Sequence, residues 1–236
     1  MSLLEVKGLA AAYGLVPALH RVDFHVDDGE VVGILGHNGM GKTTLMRAIM
    51  GYVQLTAGDV LLQGRSIIGL PTNARARAGV CLVPQGREIF PNLTVAENLH
   101  VAVVATGGNV AATTEEVLQH FPRLKPLLDR RGGALSGGEQ QLLALARCLC
   151  CKPRIMLLDE PTEGIQPSII DEIIETLQQL IKASDLTIVL VEQNLDFVTS
   201  LSSRVYAIAN GVLEHQIPGE QLTDARAVSE FMGFVA

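Results

Sequence analysis

The stretch Gly36-His-Asn-Gly-Met-Gly-Lys-Thr43 lies between an apolar run, Val31 to Leu35, and an amphipathic one, Leu45 to Met50. A short buried strand that runs into glycines and then into a helix leaves several backbone N–H groups aimed at one concavity, and the helix adds the positive end of its dipole. An anion fits there. The spacing Gly36-x-x-x-x-Gly41-Lys42-Thr43 matches the P-loop pattern: loop amides cradle phosphates, the lysine reaches the terminal ones and the hydroxyl binds Mg²⁺. Gly36, His37, Asn38, Gly39, Met40 and Gly41, with Lys42, Thr43 and Thr44, are therefore the candidate phosphate site.

The remaining chain is consistent with an α/β domain built around that junction. Its 236 residues, 48% hydrophobic, suffice for one domain with a substantial core. Short β-like runs (Leu3 to Val6, Arg21 to Val26, Glu30 to Leu35, Asp59 to Leu62, Gly79 to Val83) alternate with turns at Asp28-Gly29, Ala57-Gly58 and Gln63-Gly64. In that first third only the stretch after the P-loop reads as helix. From Thr94 to Lys152 the spacing becomes helical, opening on the capping box Thr94-Val-Ala-Glu97 and broken at Pro122 and Pro126. Arg154 to Leu158 and Leu186 to Val191 then read as buried parallel strands joined by a crossover helix over Ser168 to Lys182. A hairpin around Asn210-Gly211 and a short helix from Asp224 complete the expectation.

Charge and composition exclude several roles. Eighteen basic against 25 acidic residues give a net charge of −7, with no Lys/Arg run to track a phosphate backbone, so nucleic acid is not expected as a ligand. No apolar stretch reaches the length of a membrane span, and Met1 to Lys7 lacks the basic start of a signal peptide, so a cytoplasmic chain is expected. Cys81, Cys148, Cys150 and Cys151 form no paired hooks and read as small buried hydrophobes rather than a zinc or disulfide framework.

A phosphate cradle alone does not hydrolyse a nucleotide, because phosphoryl transfer also needs a held metal and an oriented water. Ile155-Met-Leu-Leu-Asp159-Glu160 offers both, with Asp159 at the mouth of a buried strand as metal holder and Glu160 beside it to polarise the water. Leu135-Ser136-Gly137-Gly138-Glu139-Gln140 precedes a helix and builds a second anion-binding N-terminus. One nucleotide needs only one cradle. A dimer resolves the surplus, with the turn of one subunit closing over the γ-phosphate held by the other.

Together these segments resemble the ATP-binding subunits of ABC transporters, with Walker A at 36–43, the signature at 135–140 and Walker B at 155–160, over nearly the whole chain. The resemblance implies a single cassette in which 1–88 and 151–236 form a RecA-like parallel-sheet core with an N-terminal antiparallel β subdomain, and 89–150 an inserted helical subdomain. It implies ATP and Mg²⁺ as cofactors, with Thr43, Gln85 and Asp159 around the metal and Glu160, Gln85, Gln193 and Lys42 in catalysis. Tyr13 would stack on adenine, and Ser136, Gly137, Gly138 and Glu139 would meet the nucleotide of the second ATPase subunit, identical or a paralogue. Transmembrane permeases, a periplasmic binding protein and a peripheral place on the cytoplasmic face of the inner membrane follow from the same resemblance.

Two positions depart from the family pattern: Gln166 stands where a D-loop aspartate is usual, and Gln193 where the switch histidine is usual. Glutamine can donate a hydrogen bond but cannot carry a proton or a positive charge, which implies slower hydrolysis or an asymmetric pair of sites. Val191-Glu-Gln-Asn194 resembles the branch serving branched-chain amino acid and related uptake. Within it, Val83 to Phe90, Arg130 to Gly133 and Asp159 to Ile170 are most similar to the urea-import ATPase, with short amides a near neighbour. A soluble ABC-type ATPase acting on nucleic acid or ribosomes shares these motifs, but usually in tandem cassettes or with long coiled-coil insertions, neither of which occurs here. A nucleotide-dependent binding module that scarcely hydrolyses is the remaining alternative, motivated by the two glutamines.

Overall fold

The computed structural model describes residues 2–184 and 186–218. Strands β1 (Ser2–Tyr13), β2 (Val16–Asp27), β4 (Leu55–Leu62) and β5 (Arg65–Ser66) form an antiparallel sheet in the order β2-β1-β4-β5. A second sheet, in the order β10-β9-β3-β8-β7-β6, uses β3 (Val31–Leu35), β6 (Val80–Val83), β7 (Ile155–Asp159), β8 (Thr187–Glu192), β9 (Arg204–Ala209) and β10 (Val212–Pro218). Within it β6, β7, β8, β3 and β9 run parallel, and β10 returns antiparallel along β9.

Helices cover both faces of this second sheet, which is why β3, β7 and β8 are apolar runs buried at every position rather than alternating ones. On one face Val32, Ile34, Leu157 and Val189 meet Leu45, Met46 and Ile49 of α1 (Lys42–Met50), together with Leu4, Val6 and Val60 of the antiparallel sheet. On the other, Leu35, Met156, Leu158 and Leu190 meet the helices that follow β6, β7 and β8. These are α3 (Val95–Thr106), α4 (Val110–His120), α5 (Gly137–Cys150), α6 (Pro167–Ser184) and α7 (Leu195–Leu201), with Leu142, Ile173, Leu177 and Phe197 in the shared core. Between β6 and β7 the chain is entirely helix, 3-10 turn and loop, and α3 packs on α5 there.

Most boundaries are those the local chemistry sets. Thr94 caps α3 through a reciprocal box with Glu97, and Pro122 opens a 3-10 turn, Pro122–Leu127, after α4. The turn Gln63-Gly64 has both residues at positive φ, 51° and 74°, and joins β4 to β5. Asn210-Gly211, at 47° and 75°, joins β9 to β10. Cys81, Cys148 and Cys150 are buried and Cys151 is half-buried.

The structure corrects four expectations. Ala57-Gly58 is no turn but part of β4. There Gly58, at φ 90°, faces a register shift in β1 so closely that a Cβ would lie 2.4 Å from the Gly8 carbonyl. β1 continues seven residues past Val6, to Tyr13. A second helix in the first third, α2 (Thr72–Arg77), was not expected, because its six residues carry no apolar stripe. α7, too, was unforeseen; its one local signal is Asn194, whose Oδ1 accepts the N–H of Phe197. The helix expected from Asp224 lies outside the described residues.

Candidate active site

Everything at this site converges on the end of β3. The Gly36 N–H donates to the Glu192 carbonyl at 3.2 Å, tying the loop to the end of β8. The turn Asn210-Gly211 supports it from the other side, the Gly211 N–H donating to the Met40 carbonyl at 2.9 Å. Gly41, at φ 103°, is the N-cap of α1 and supplies no side chain, and the first turn holds no acidic residue. The free N–H groups of α1 therefore face a cavity of about 660 Å³ lined by Asn38, Gly39, Gly41, Lys42, Thr43 and Thr44, among others.

Lys42, 3% exposed, donates from Nζ to the Gly36 and His37 carbonyls at 2.6 and 2.9 Å and pairs with Glu160 Oε1 at 2.9 Å. Thr43 Oγ1 lies 3.1 Å from Asp159 Oδ1 and 3.4 Å from Gln85 Oε1. Gln85 in turn donates from Nε2 to Glu160 Oε2 at 3.1 Å and to Glu163 Oε2 at 3.0 Å. Burial pushes the Asp159 carboxyl up to about 6, the Thr43 hydroxyl opposing and the neighbouring Glu160 reinforcing the shift. Glu160 stands at φ 47°, a left-handed backbone that a glutamate adopts at a cost of about 1–3 kcal/mol. An uncapped helix N-terminus with a buried lysine fits a polyphosphate. Beside it, hydroxyl, amide and carboxylate oxygens from three elements are the hard donor set that suits Mg²⁺.

This arrangement is matched by sequence. The model of the ABC transporter family matches residues 19–163. The chain is an ATPase of the ABC transporter family. It is 37% identical to the high-affinity branched-chain amino acid transport ATP-binding protein BraG of Pseudomonas aeruginosa, over 98% of this chain and all of that one. It is 34% identical to the lipopolysaccharide export system ATP-binding protein LptB of Escherichia coli K12, over 99% and 98% of the two chains. Among solved structures it resembles the ADP conformation of the cassette MJ1267, with a TM-score of 0.83, 26% identity and 99% of both chains covered.

In this cassette Gln85 and Glu160 line the P-loop cavity, whereas Asp159, 2% exposed, reaches it through Thr43. Other expected residues lie elsewhere. Tyr13, half-exposed at the end of β1, faces a neighbouring groove, and Gln193 is exposed on the loop after β8. Ser136 caps α5 in a box with Glu139: Glu139 Oε2 accepts the Ser136 N–H at 2.7 Å, while Ser136 Oγ accepts the Glu139 N–H at only 3.4 Å. Gly137 lies under the Arg87 guanidinium, and Gly138 leaves the space that Ile169 fills, so a Cβ there would come within 2.8 Å of that side chain. None of the four lines the P-loop cavity of its own chain.

Sequence reasoning missed Glu163, Arg87, Thr162 and Glu192. Arg87 donates to Gln140 Oε1 and the Glu163 carbonyl, each at 3.4 Å. The signal that could have found Glu192 is an acid closing the apolar run Thr187 to Val191. Among the described residues no helix is long and apolar enough to cross a membrane.

Proposed function

We propose that this cassette pairs head-to-tail with a second ATPase subunit, holds two ATP·Mg²⁺ between them and powers a solute importer from the cytoplasmic face of the inner membrane. What carries the reading is the hydrogen-bonded cluster of Lys42, Thr43, Gln85, Asp159 and Glu160 at the P-loop, set against a signature turn that stays out of that cavity. The loop amides and Lys42 would hold the β- and γ-phosphates; Thr43, Gln85 and Asp159 would hold Mg²⁺, which offsets charge on the transferring phosphoryl group. Glu160 orients and deprotonates the attacking water, Gln193 donates to the γ-phosphate, and Tyr13 stacks on adenine. Ser136, Gly137, Gly138 and Glu139 serve the nucleotide on the partner's P-loop.

Residues 89–150 would move as a unit about Gln85. The groove beside that glutamine, about 750 Å³, is the one Tyr13 lines; its side formed by Pro84, Phe90, Val101 and Arg147 would receive the permease, leaving Tyr13 to the adenine. The solute itself would be delivered by a periplasmic binding protein. Similarity to BraG favours branched-chain amino acids as cargo, and the relative LptB, named for export, leaves the direction resting on the import-branch motif at Val191 to Asn194. Urea or short amides are the second reading, carried by the segments Val83 to Phe90 and Asp159 to Ile170.

Glu160→Gln tests the assignment: ATP affinity should stay near wild type while turnover falls about 10²-fold or more and the closed pair accumulates. Unchanged turnover would remove Glu160 from its role. For the cargo, turnover of the reconstituted transporter should rise with a leucine-loaded binding protein; stimulation by urea instead would select the second reading.

A further inference from the structure

Glu192 ends β8 and is 1% exposed. Among the described residues four donors bond its carboxylate. Oε1 accepts the Thr162 N–H at 2.9 Å and the Thr162 hydroxyl at 2.5 Å; Oε2 accepts the N–H groups of Gln193 at 2.8 Å and Asn194 at 3.0 Å. Thr162 follows Glu160 by two residues, so one oxygen holds the backbone after the Walker B acids and the other the backbone from which Gln193 projects. The main chain continues the pattern: the Gly36 N–H donates to the Glu192 carbonyl at 3.2 Å, and the Glu160 N–H to the Val191 carbonyl at 3.0 Å. P-loop, Walker B loop and switch loop therefore meet on one residue pair at the end of one strand.

We infer that Glu192 is a positioning residue for hydrolysis, fixing the loop of Gln193 and the loop of Glu160 relative to each other without touching the nucleotide. The chemistry demands a carboxylate. Donors fill both oxygens, and a glutamine amide would keep an acceptor at one position only, turning its N–H groups against those of Gln193 and Asn194 or against the Thr162 N–H and so loosening one of the two loops. The demand is sharper here than where the switch residue is an imidazole. Gln193 must place a flexible, neutral amide, so its contribution depends on how firmly its backbone is held. The inference rests on the roles proposed for Glu160 and Gln193.

The test is a double-mutant cycle on the full chain, following ATP turnover, nucleotide affinity and thermal unfolding in the same preparations. Glu192→Gln should lower kcat about tenfold or more while KM for ATP stays within about twofold, because the groups that hold phosphate are untouched. Gln193→Ala should slow turnover comparably, and Glu192→Gln/Gln193→Ala should be no slower than the worse single variant, since one residue acts through the other. Wild-type kcat in Glu192→Gln, or losses that multiply in the double variant, would overturn the inference. If Glu192→Gln does not fold, Thr162→Val removes one donor to Oε1 on the Glu160 side and should lower kcat in a way that does not multiply with the loss in Glu160→Gln; wild-type kcat in Thr162→Val, or multiplicative losses with Glu160→Gln, would overturn it equally. Should Glu160→Gln and Gln193→Ala both turn over at the wild-type rate, the reading of the site itself fails. Slow turnover in those two beside a fast Glu192→Gln removes Glu192 alone.

Discussion

At the scale of single residues, Lys42 and Glu160 form an ion pair whose side chains are 3% and 5% exposed, and each charge depends on the other for compensation. Removing one partner of such a pair leaves an uncompensated buried charge, typically at a cost of about 3–5 kcal/mol. Lys42→Ala should therefore lose about 3 kcal/mol or more of unfolding free energy in nucleotide-free denaturant titrations, in addition to losing ATP binding. A different carboxylate sets a pH dependence. Burial raises the pKa of Glu30, but the Arg204 guanidinium, the Asp27 N–H and the Ser203 hydroxyl outweigh it and hold the carboxyl below its ordinary 4.5. Because the folded value is the lower one, its stabilisation is complete above about 4.5 and is lost as pH falls through the folded value. Glu30→Gln should melt lower than wild type at neutral pH, with the gap closing below pH 4.5. A constant gap down the acid range would show that Arg204 acts on Glu30 only by packing.

Among the elements, the segment from Gln85 to α3 carries the most unusual backbone. Gly86, Arg87 and Glu88 stand in succession at φ 80°, 71° and 44°, and only the first is a glycine. The segment is held from inside by Asn98, fully buried, which accepts the Phe90 N–H at 2.9 Å and donates to the carbonyls of Phe90, Leu93 and Thr94. Asn98→Ala would leave the Phe90 N–H without its acceptor, while the carbonyls of Phe90, Leu93 and Thr94 keep backbone donors; at about 1–3 kcal/mol for one unpaired group it should lower the melting temperature by several degrees. Arg87 holds the same segment from outside, bridging to Gln140 on α5 and to the Glu163 carbonyl. Those long, exposed bonds carry little stability, so Arg87→Ala should unfold within about 1 kcal/mol of wild type. Hydrogen exchange over residues 136–140 should nevertheless rise in that variant, since Gly137 loses the guanidinium above it. Where α5 meets α6, Gly138→Ala would drive a methyl into Ile169, and an overpacked contact of this kind costs about 1–3 kcal/mol.

Across the whole molecule, what was legible in the sequence is what depends on local chemistry. The strand-loop-helix at 31–50 and the capping boxes at Thr94 and Ser136 each need only a few neighbouring residues to specify them. Asp159 was legible from its place at the end of a buried strand, although its contact with Thr43 spans 116 residues; Gln85, whose contact with Thr43 spans 42, was nameable only by resemblance. Thr162 and Arg87 were missed because their partners come from other elements, and Glu192 because the acid that closes its apolar run does not disclose the Thr162 it holds 30 residues away. The signature turn shows the same limit at the largest scale. Its sequence announces an anion site, yet within one chain Ser136 is a helix cap and the P-loop cavity is lined without it. The proposed hydrolysis therefore requires the turn to act across a subunit boundary. The direct measurement is ATP turnover per chain, with molecular mass followed in the same sample, for the wild type and for a Ser136→Ala/Gly137→Asp variant. Turnover should appear only with the paired form, formed with itself or with its paralogue, and fall about a hundredfold or more in the variant. Full-speed hydrolysis by a variant that stays monomeric throughout would contradict it.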